Sequence, residues 1–318
     1  MNYLVCDIDH TLTPFKDIAA RLRLGQSLVS RVGQKTAQSV SYFVGQCFET
    51  NLKVARGDRD LGEKGQEILH LLDTASKQIV KKTPESQNVS LRWSRELYMM
   101  AAQSVVGVAL SLQLMIEAAD AYWRGIAMPT DPRDSRVYPD VIQFFKWLDE
   151  HPTPWELILV TGSDRRLYFS DGKLVYAPEY SRQQKWERIP TLLLQKSGNR
   201  VFVGDPIGKP DHEFWRRVAE TEAWDPLDDS IVVVGDSYRS DICGVKQLEA
   251  NPDILVYQPP EAKEQGSGRY NITTVLIDRH DHSYPKDEIP EADHLISSFD
   301  EMPKILEQIE VGDTDGTG

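Results

Sequence analysis

The chain has 318 residues, with 36 Lys+Arg against 49 Asp+Glu and a net charge of −13, a length that suits one large domain or two ordinary ones. That acidic balance argues against a nucleic-acid-coating protein or a membrane-surface binder, which cluster Lys and Arg, but a small phosphorylated ligand needs only a local cation or metal. Seven Trp, 12 Tyr and 9 Phe promise a packed core, and three scattered cysteines, Cys6, Cys47 and Cys243, favour a reducing cytoplasm over a disulfide framework.

The first element is the apolar run YLVC at 3–6, closed by Asp7. It is too short, and too soon followed by acids, to read as a signal peptide. Residues 15–31 and 35–56 show helical spacing, as in Val40, Phe43, Val44, Cys47 and Phe48. Gly57-Asp58 breaks the pattern and residues 61–82 resume it. Thr83-Pro84 is a helix start, and a long helix is expected from Ser90 to Ile126, stopped by Pro129 and Pro132. Within it, residues 97–116 carry no charge over 20 positions, the length of a bilayer span. Gln103, Ser104, Ser111 and Gln113 interrupt that run and charges crowd both flanks, so it reads as a buried helix in a non-membrane protein. The block 14–136 has almost no strand signal and reads as an all-helical module of about four helices.

Residues 137–150 form a further helix. Strands are expected at 156–160 (ELILV), 200–203 (RVFV), 230–234 (SIVVV) and 273–277 (TTVLI), with a sixth at 253–257 (DILVY). Continuous β-branched runs separated by helical sequence indicate strands covered on both faces, hence an α/β fold with a doubly wound, mainly parallel sheet. Residues 258–271 are polar and rich in Pro and Gly, a surface excursion. The tail 310–318 has little to bury and is expected to be disordered.

Four motifs carry chemistry, three of them at strand ends. The first strand delivers Asp7 and Asp9 just past its C-terminal end, where open α/β sheets place ligands. Two carboxylates this close call for a cation, and oxygen-only ligands favour Mg²⁺. The second delivers Thr161-Gly162-Ser163, a hydroxyl and an exposed backbone N–H suited to a phosphate oxygen. Lys209, in Gly208-Lys209-Pro210, can offset anionic charge. The fourth delivers Gly235-Asp236 and, five residues on, Asp241. Each pattern alone is weak; their joint order at strand ends is specific.

With DIDHT at 7–11, TGS at 161–163, GKP at 208–210 and GDSYRSD at 235–241, the sequence resembles the haloacid dehalogenase-like superfamily. The resemblance covers about 1–13 and 137–309, which it makes a Rossmannoid core, and puts 14–136 where that family inserts a C1-type helical cap. It implies that Asp7 is the nucleophile and Asp9 the general acid/base. It further implies that Thr161, with Gly162 and Ser163, binds the phosphoryl group and that Lys209 holds Asp7. Asp7, Asp236, Asp241 and the backbone carbonyl of Asp9 are the implied Mg²⁺ ligands. The activity it implies is a Mg²⁺-dependent phosphatase on a small phosphorylated molecule. A phosphomutase uses the same residues, and a non-catalytic binding module on the same fold is the reading from another class.

Other motifs carry less. Asp313-Thr314-Asp315-Gly316-Thr317 copies the nucleophile motif without a strand before it, and Gly204-Asp205 only partly copies the fourth. His280 and His282 lack a third zinc ligand. His10 is open to a substrate contact or to a space-filling role.

Overall fold

The computed structural model of the chain describes residues 1–15, 17–56, 60–127, 136–226, 228–250, 270–279 and 289–314. In chain order the elements are β1 Asn2–Asp7, α1 Asp17–Val32, α2 Gln34–Arg56, α3 Gly62–Ser76, β2 Val80–Lys81, α4 Arg95–Val106 and α5 Leu112–Ala127. There follow α6 Pro139–Glu150, β3 Glu156–Gly162, β4 Leu167–Ser170, β5 Lys173–Tyr176, α7 Pro178–Trp186, α8 Thr191–Lys196, β6 Val201–Gly204 and α9 His212–Thr221. The last are β7 Ser230–Gly235, α10 Gly244–Ala250, β8 Asn271–Ile277, β9 His294–Ile296 and α11 Met302–Thr314.

Six strands form one sheet in the order β6-β3-β1-β7-β8-β9, and every pairing is parallel. Alternate residues of β1 feed opposite faces, as the two-residue period of a strand requires. Leu4 and Cys6 pack with Phe144, Phe145, Leu193 and Met302 of α6, α8 and α11. Tyr3 and Val5 pack with Trp215, Val218 and Leu248 of α9 and α10. Covered on both sides, the strands need no polar face, which explains their unbroken apolar sequence. This is the doubly wound sheet the sequence implies. Register sets Asp7 opposite Val160 of β3 and Cys6 opposite Val234 of β7. The C-terminal ends of these three strands therefore lie side by side.

Residues 14–136 differ from expectation in two ways. The long helix is two helices, because Gly107 adopts a left-handed conformation (φ 69°) and its N–H returns to Gln103 O, a stop that glycine makes at low cost. Gln103 Oε1 then accepts from Leu110 N at 2.8 Å and fixes the break. The block is also not all helical: β2 pairs with β5, and β5 with β4, in a separate three-stranded sheet. Leu167, Leu174 and Tyr176 of this hairpin share one apolar core with Leu24, Val44, Leu97 and Trp123 of the helices.

At the other end, residues 310–314 belong to α11, which corrects the expected disorder there: Ile305 and Leu306 anchor the helix in the sheet core, and it simply runs on. Pro129, Pro132, the strand at 253–257, residues 258–269, His280, His282 and 315–318 lie outside the described residues. No helix among the described residues is long and apolar enough to cross a membrane.

Candidate active site

Asp7 ends β1 and is buried. One carboxylate oxygen accepts from Lys209 Nζ, the other from the buried Thr11 hydroxyl at 3.1 Å. Lys209 also meets Asp241 Oδ1 at 2.6 Å, and its backbone carbonyl accepts from the buried Trp215 indole at 2.7 Å. Asp241 sits in a wide π-helical turn, Tyr238–Cys243, where its second oxygen accepts from Ser237 N at 3.0 Å. Gly235 makes this close approach possible, because a Cβ there would lie 2.3–2.4 Å from the Asp241 carboxylate. Asp236, half-buried, completes the group: Asp7, Asp236 and Asp241 each offer an oxygen within 4.8 Å of the others.

Three carboxylates thus face a single ammonium. Burial, with Asp241 and Asp9 nearby, pushes Asp7 up to about 7 despite Lys209. Burial and Asp7 push Asp236 well above the usual carboxylate range. Burial alone would weaken Lys209 as a base, but Asp241 and Asp7 raise it, so it stays charged. A hard divalent cation suits this surplus of negative oxygen, and Asp7, Asp236 and Asp241 are the side chains placed to hold one.

Beyond β1 the chain turns tightly. His10 is left-handed (φ 62°), its N–H donates to Thr13 O at 2.8 Å, and its ring packs on Phe15. The turn leaves Asp9 half-exposed with Oδ2 bonded to the buried Lys185 Nζ of α7. Burial pushes the Asp9 carboxyl up, but Lys185 more than offsets this and holds it below its ordinary value. Arg188, three residues on, pairs with Asp164 and lies 4.1 Å from the Trp123 ring centroid. Burial lowers Arg188 to about 10, with Arg95 and Arg136 contributing and Asp9 opposing. Sequence reasoning passed over Lys185 and Arg188, which lie near the end of α7 and in the turn after it, with no strand-end signature.

The end of β3 divides its three candidates. Thr161 is buried one residue past the partner of Asp7, so its hydroxyl is on the edge that carries Asp7. Gly162 has open space at its Cα, with no atom within 4 Å of an added Cβ. Ser163 turns elsewhere: its hydroxyl bonds Asp205 Oδ2 at 2.5 Å and Ser181 Oγ at 2.7 Å. Asp205 is buried and also takes Arg165 and the Tyr176 hydroxyl. The partial motif copy at Gly204-Asp205 is therefore a buried brace between β6, the β4–β5 hairpin and the loop after β3.

No family model matches the chain, and no curated protein does. Solved structures align over nearly their whole length. A 2-haloacid dehalogenase from Pseudomonas syringae pv. Tomato DC3000 is 15% identical with a TM-score of 0.49, covering 97% of this chain and 99% of its own. A putative beta-phosphoglucomutase from Thermotoga maritima is 15% identical with a TM-score of 0.47, covering 97% and 100%. A HAD phosphatase from Thermococcus onnurineus is 17% identical with a TM-score of 0.42, covering 96% and 98%.

Proposed function

We propose that the protein is a Mg²⁺-dependent phosphatase that hydrolyses small phosphate monoesters through an aspartyl phosphate on Asp7. The observation that carries this reading is the joint contact of Lys209 with Asp7 and Asp241, with Asp236 alongside, at one sheet edge with Thr161. An Asp7 oxygen attacks phosphorus and the ester P–O bond breaks. Asp9, two residues on and outside the carboxylate cluster, is held ionised by Lys185 in the free protein; the negative charge of the bound ester raises it, so that it takes up a proton on binding and gives that proton to the leaving oxygen. It then takes one from the water that cleaves the acyl phosphate and releases inorganic phosphate. Thr161 and the Gly162 backbone suit the phosphoryl oxygens, while Lys209 keeps Asp7 aligned and offsets charge. Bound Mg²⁺ supplies the remaining charge compensation between the carboxylates and the phosphoryl group.

In this reading residues 1–13 and 137–309 are the catalytic core, 14–136 a C1-type cap that restricts access to compact substrates, and a reducing cytoplasm the setting of its three free cysteines. A carboxylate at position 9 favours phosphoryl transfer over dehalogenation. The test is a Mg²⁺-supplemented screen of purified protein against sugar, nucleotide and organic-acid phosphates, following both inorganic phosphate and isomerised ester. Phosphate release supports the phosphatase; isomerisation without release identifies a mutase; neither, over a broad panel, leaves a binding module.

A further inference from the structure

Among the described residues, four cations, Lys185, Arg188, Arg136 and Arg95, gather near Asp9 against three acids, Asp9, Asp164 and, through the Tyr122 hydroxyl, Asp17. Lys185 meets Asp9 and Arg188 meets Asp164. Arg136 donates to the Arg188 carbonyl and has no carboxylate contact among the described residues. Arg95 is buried within 5 Å of the ring centroids of Phe48, Tyr98, Tyr122 and Trp123. Its Nη atoms donate to Trp93 O at 2.8 Å and the Tyr122 hydroxyl at 3.0 Å. Its Nε has no hydrogen-bond partner among the described residues, and neither has the Trp123 indole N–H. Arg188 and Arg95 approach the same Trp123 ring, at 4.1 and 4.9 Å.

Buried cations and buried donors without acceptors are costly. A bound anion relieves the first cost, by offsetting the cationic charge gathered here. Burial lowers the basicity of Arg188, and Arg95 and Arg136 lower it further. Lys185 and Arg188 are the cations that act on Asp9, whereas Lys209 is the cation on Asp7. In the phosphatase reading, the group next to Asp9 is the departing part of the ester, not the phosphoryl group.

We propose that Lys185 and Arg188 receive a second anionic group carried by the leaving part of the substrate, so that the site is built for phosphate monoesters bearing a carboxylate or a further phosphate a few atoms from the ester oxygen. This rests on the phosphatase reading for the placement of the ester. Arg95 and Trp123 act behind Arg188: the indole seats the guanidinium and Arg95 adds charge without touching the ligand.

The test separates binding from turnover. Asp7→Asn protein with Mg²⁺ is titrated calorimetrically with two matched pairs, 3-phosphoglycerate against glycerol 3-phosphate, and propane-1,3-diol bisphosphate against 3-hydroxypropyl phosphate. A charged contact of this kind predicts roughly 10- to 100-fold tighter binding of the doubly anionic member. The two pairs show whether carboxylate or phosphate is the better fit. Adding Arg188→Met should erase the preference and leave the singly anionic ligands within about twofold; Arg188→Lys should restore part of it. Equal affinity within both pairs, or a preference that survives Arg188→Met, overturns the proposal. If Arg188→Met does not fold, the matched pairs on the Asp7→Asn protein, together with Arg188→Lys, still decide. Hydrolysis of p-nitrophenyl phosphate by the unaltered protein, which carries no second anion, reports separately on the phosphatase reading.

Discussion

Glu96, in the first turn of α4, accepts from Arg166 Nε at 2.8 Å, with both side chains buried. Arg166 immediately precedes β4, so the pair ties the inserted helices to the hairpin that leaves the active-site edge. Glu96 is further held by the Ser94 hydroxyl at 2.8 Å and Arg166 by Asp120.

A buried pair broken on one side leaves an uncompensated charge. Arg166→Met should therefore cost about 3–5 kcal/mol in urea unfolding. Pairing it with Glu96→Gln should recover a good part of that loss, because the stranded charge is gone. A cost below about 1 kcal/mol for Arg166→Met alone would show that the pair is not what fastens the hairpin.

The same junction governs what can be cut away. Deleting residues 15–135 removes β2 from β5 and bares Leu167, Leu174 and Tyr176, all buried against the helices. An apolar patch beside an open strand edge invites association. The deletion should give aggregated protein, whereas also replacing 167–176 by a short Gly/Ser turn should return it to a monomer by light scattering. A monomeric, cooperatively folded product from the first deletion alone would make the hairpin part of the core.

Metal dependence has a pH signature. Asp7 is raised from an ordinary 3.8 to about 7, and Asp236 is raised as well. Between about pH 4 and 7 the folded, metal-free protein therefore holds more protons than the unfolded chain, and its stability falls as pH rises through that window. Mg²⁺ competes with those protons, so its stabilising effect should be greater at pH 8 than at pH 5.5. At 100 times its dissociation constant, Mg²⁺ should contribute about 2.7 kcal/mol. Thermal melts with EDTA and with Mg²⁺ at both pH values check this. An equal shift at the two values, or turnover undiminished in excess chelator, contradicts it.

The sheet and the carboxylate cluster were legible because parallel strands buried on both faces are unbroken apolar runs, and their acids follow directly at Asp7 and Asp236. Asp241 and Lys209 came from spacing within recognisable motifs. What was missed follows from weaker signals. Asp171-Gly172, both left-handed (φ 50° and 76°), form a two-residue hairpin turn of a kind that Asp-Gly between apolar residues announces. Four-residue strands beside a long helical block did not stand out. Ser163 reads as a phosphate ligand alongside Thr161 and Gly162 in the sequence, yet Asp205 takes its hydroxyl. Lys185 lies 176 residues from Asp9, and no local pattern reports a contact made only by the tertiary fold.

Asp7 and Asp9 are separable by experiment. Asp7→Asn should abolish turnover, because an amide is a poor nucleophile and the carboxylate cluster loses a member. Asp9→Asn keeps the nucleophile and its contacts with Lys209 and Thr11. It removes proton transfer, worth about 10²- to 10⁴-fold. The loss should depend on the leaving group. A sugar phosphate departs as a poor alkoxide and needs the proton; nitrophenolate departs without it. With p-nitrophenyl phosphate, formation of the aspartyl phosphate should survive in Asp9→Asn while its hydrolysis stays slow, since no base activates the water. Stopped-flow absorbance should then show a burst of nitrophenolate close to one equivalent, followed by a very slow steady state. Lys185→Met supplies the contrast: Asp9 loses its buried ammonium partner but keeps its carboxyl, so hydrolysis of the intermediate continues and no burst accumulates. Equal impairment of both leaving groups in Asp9→Asn, without a burst, would mean that Asp9 serves structure or metal and that the proton comes from elsewhere.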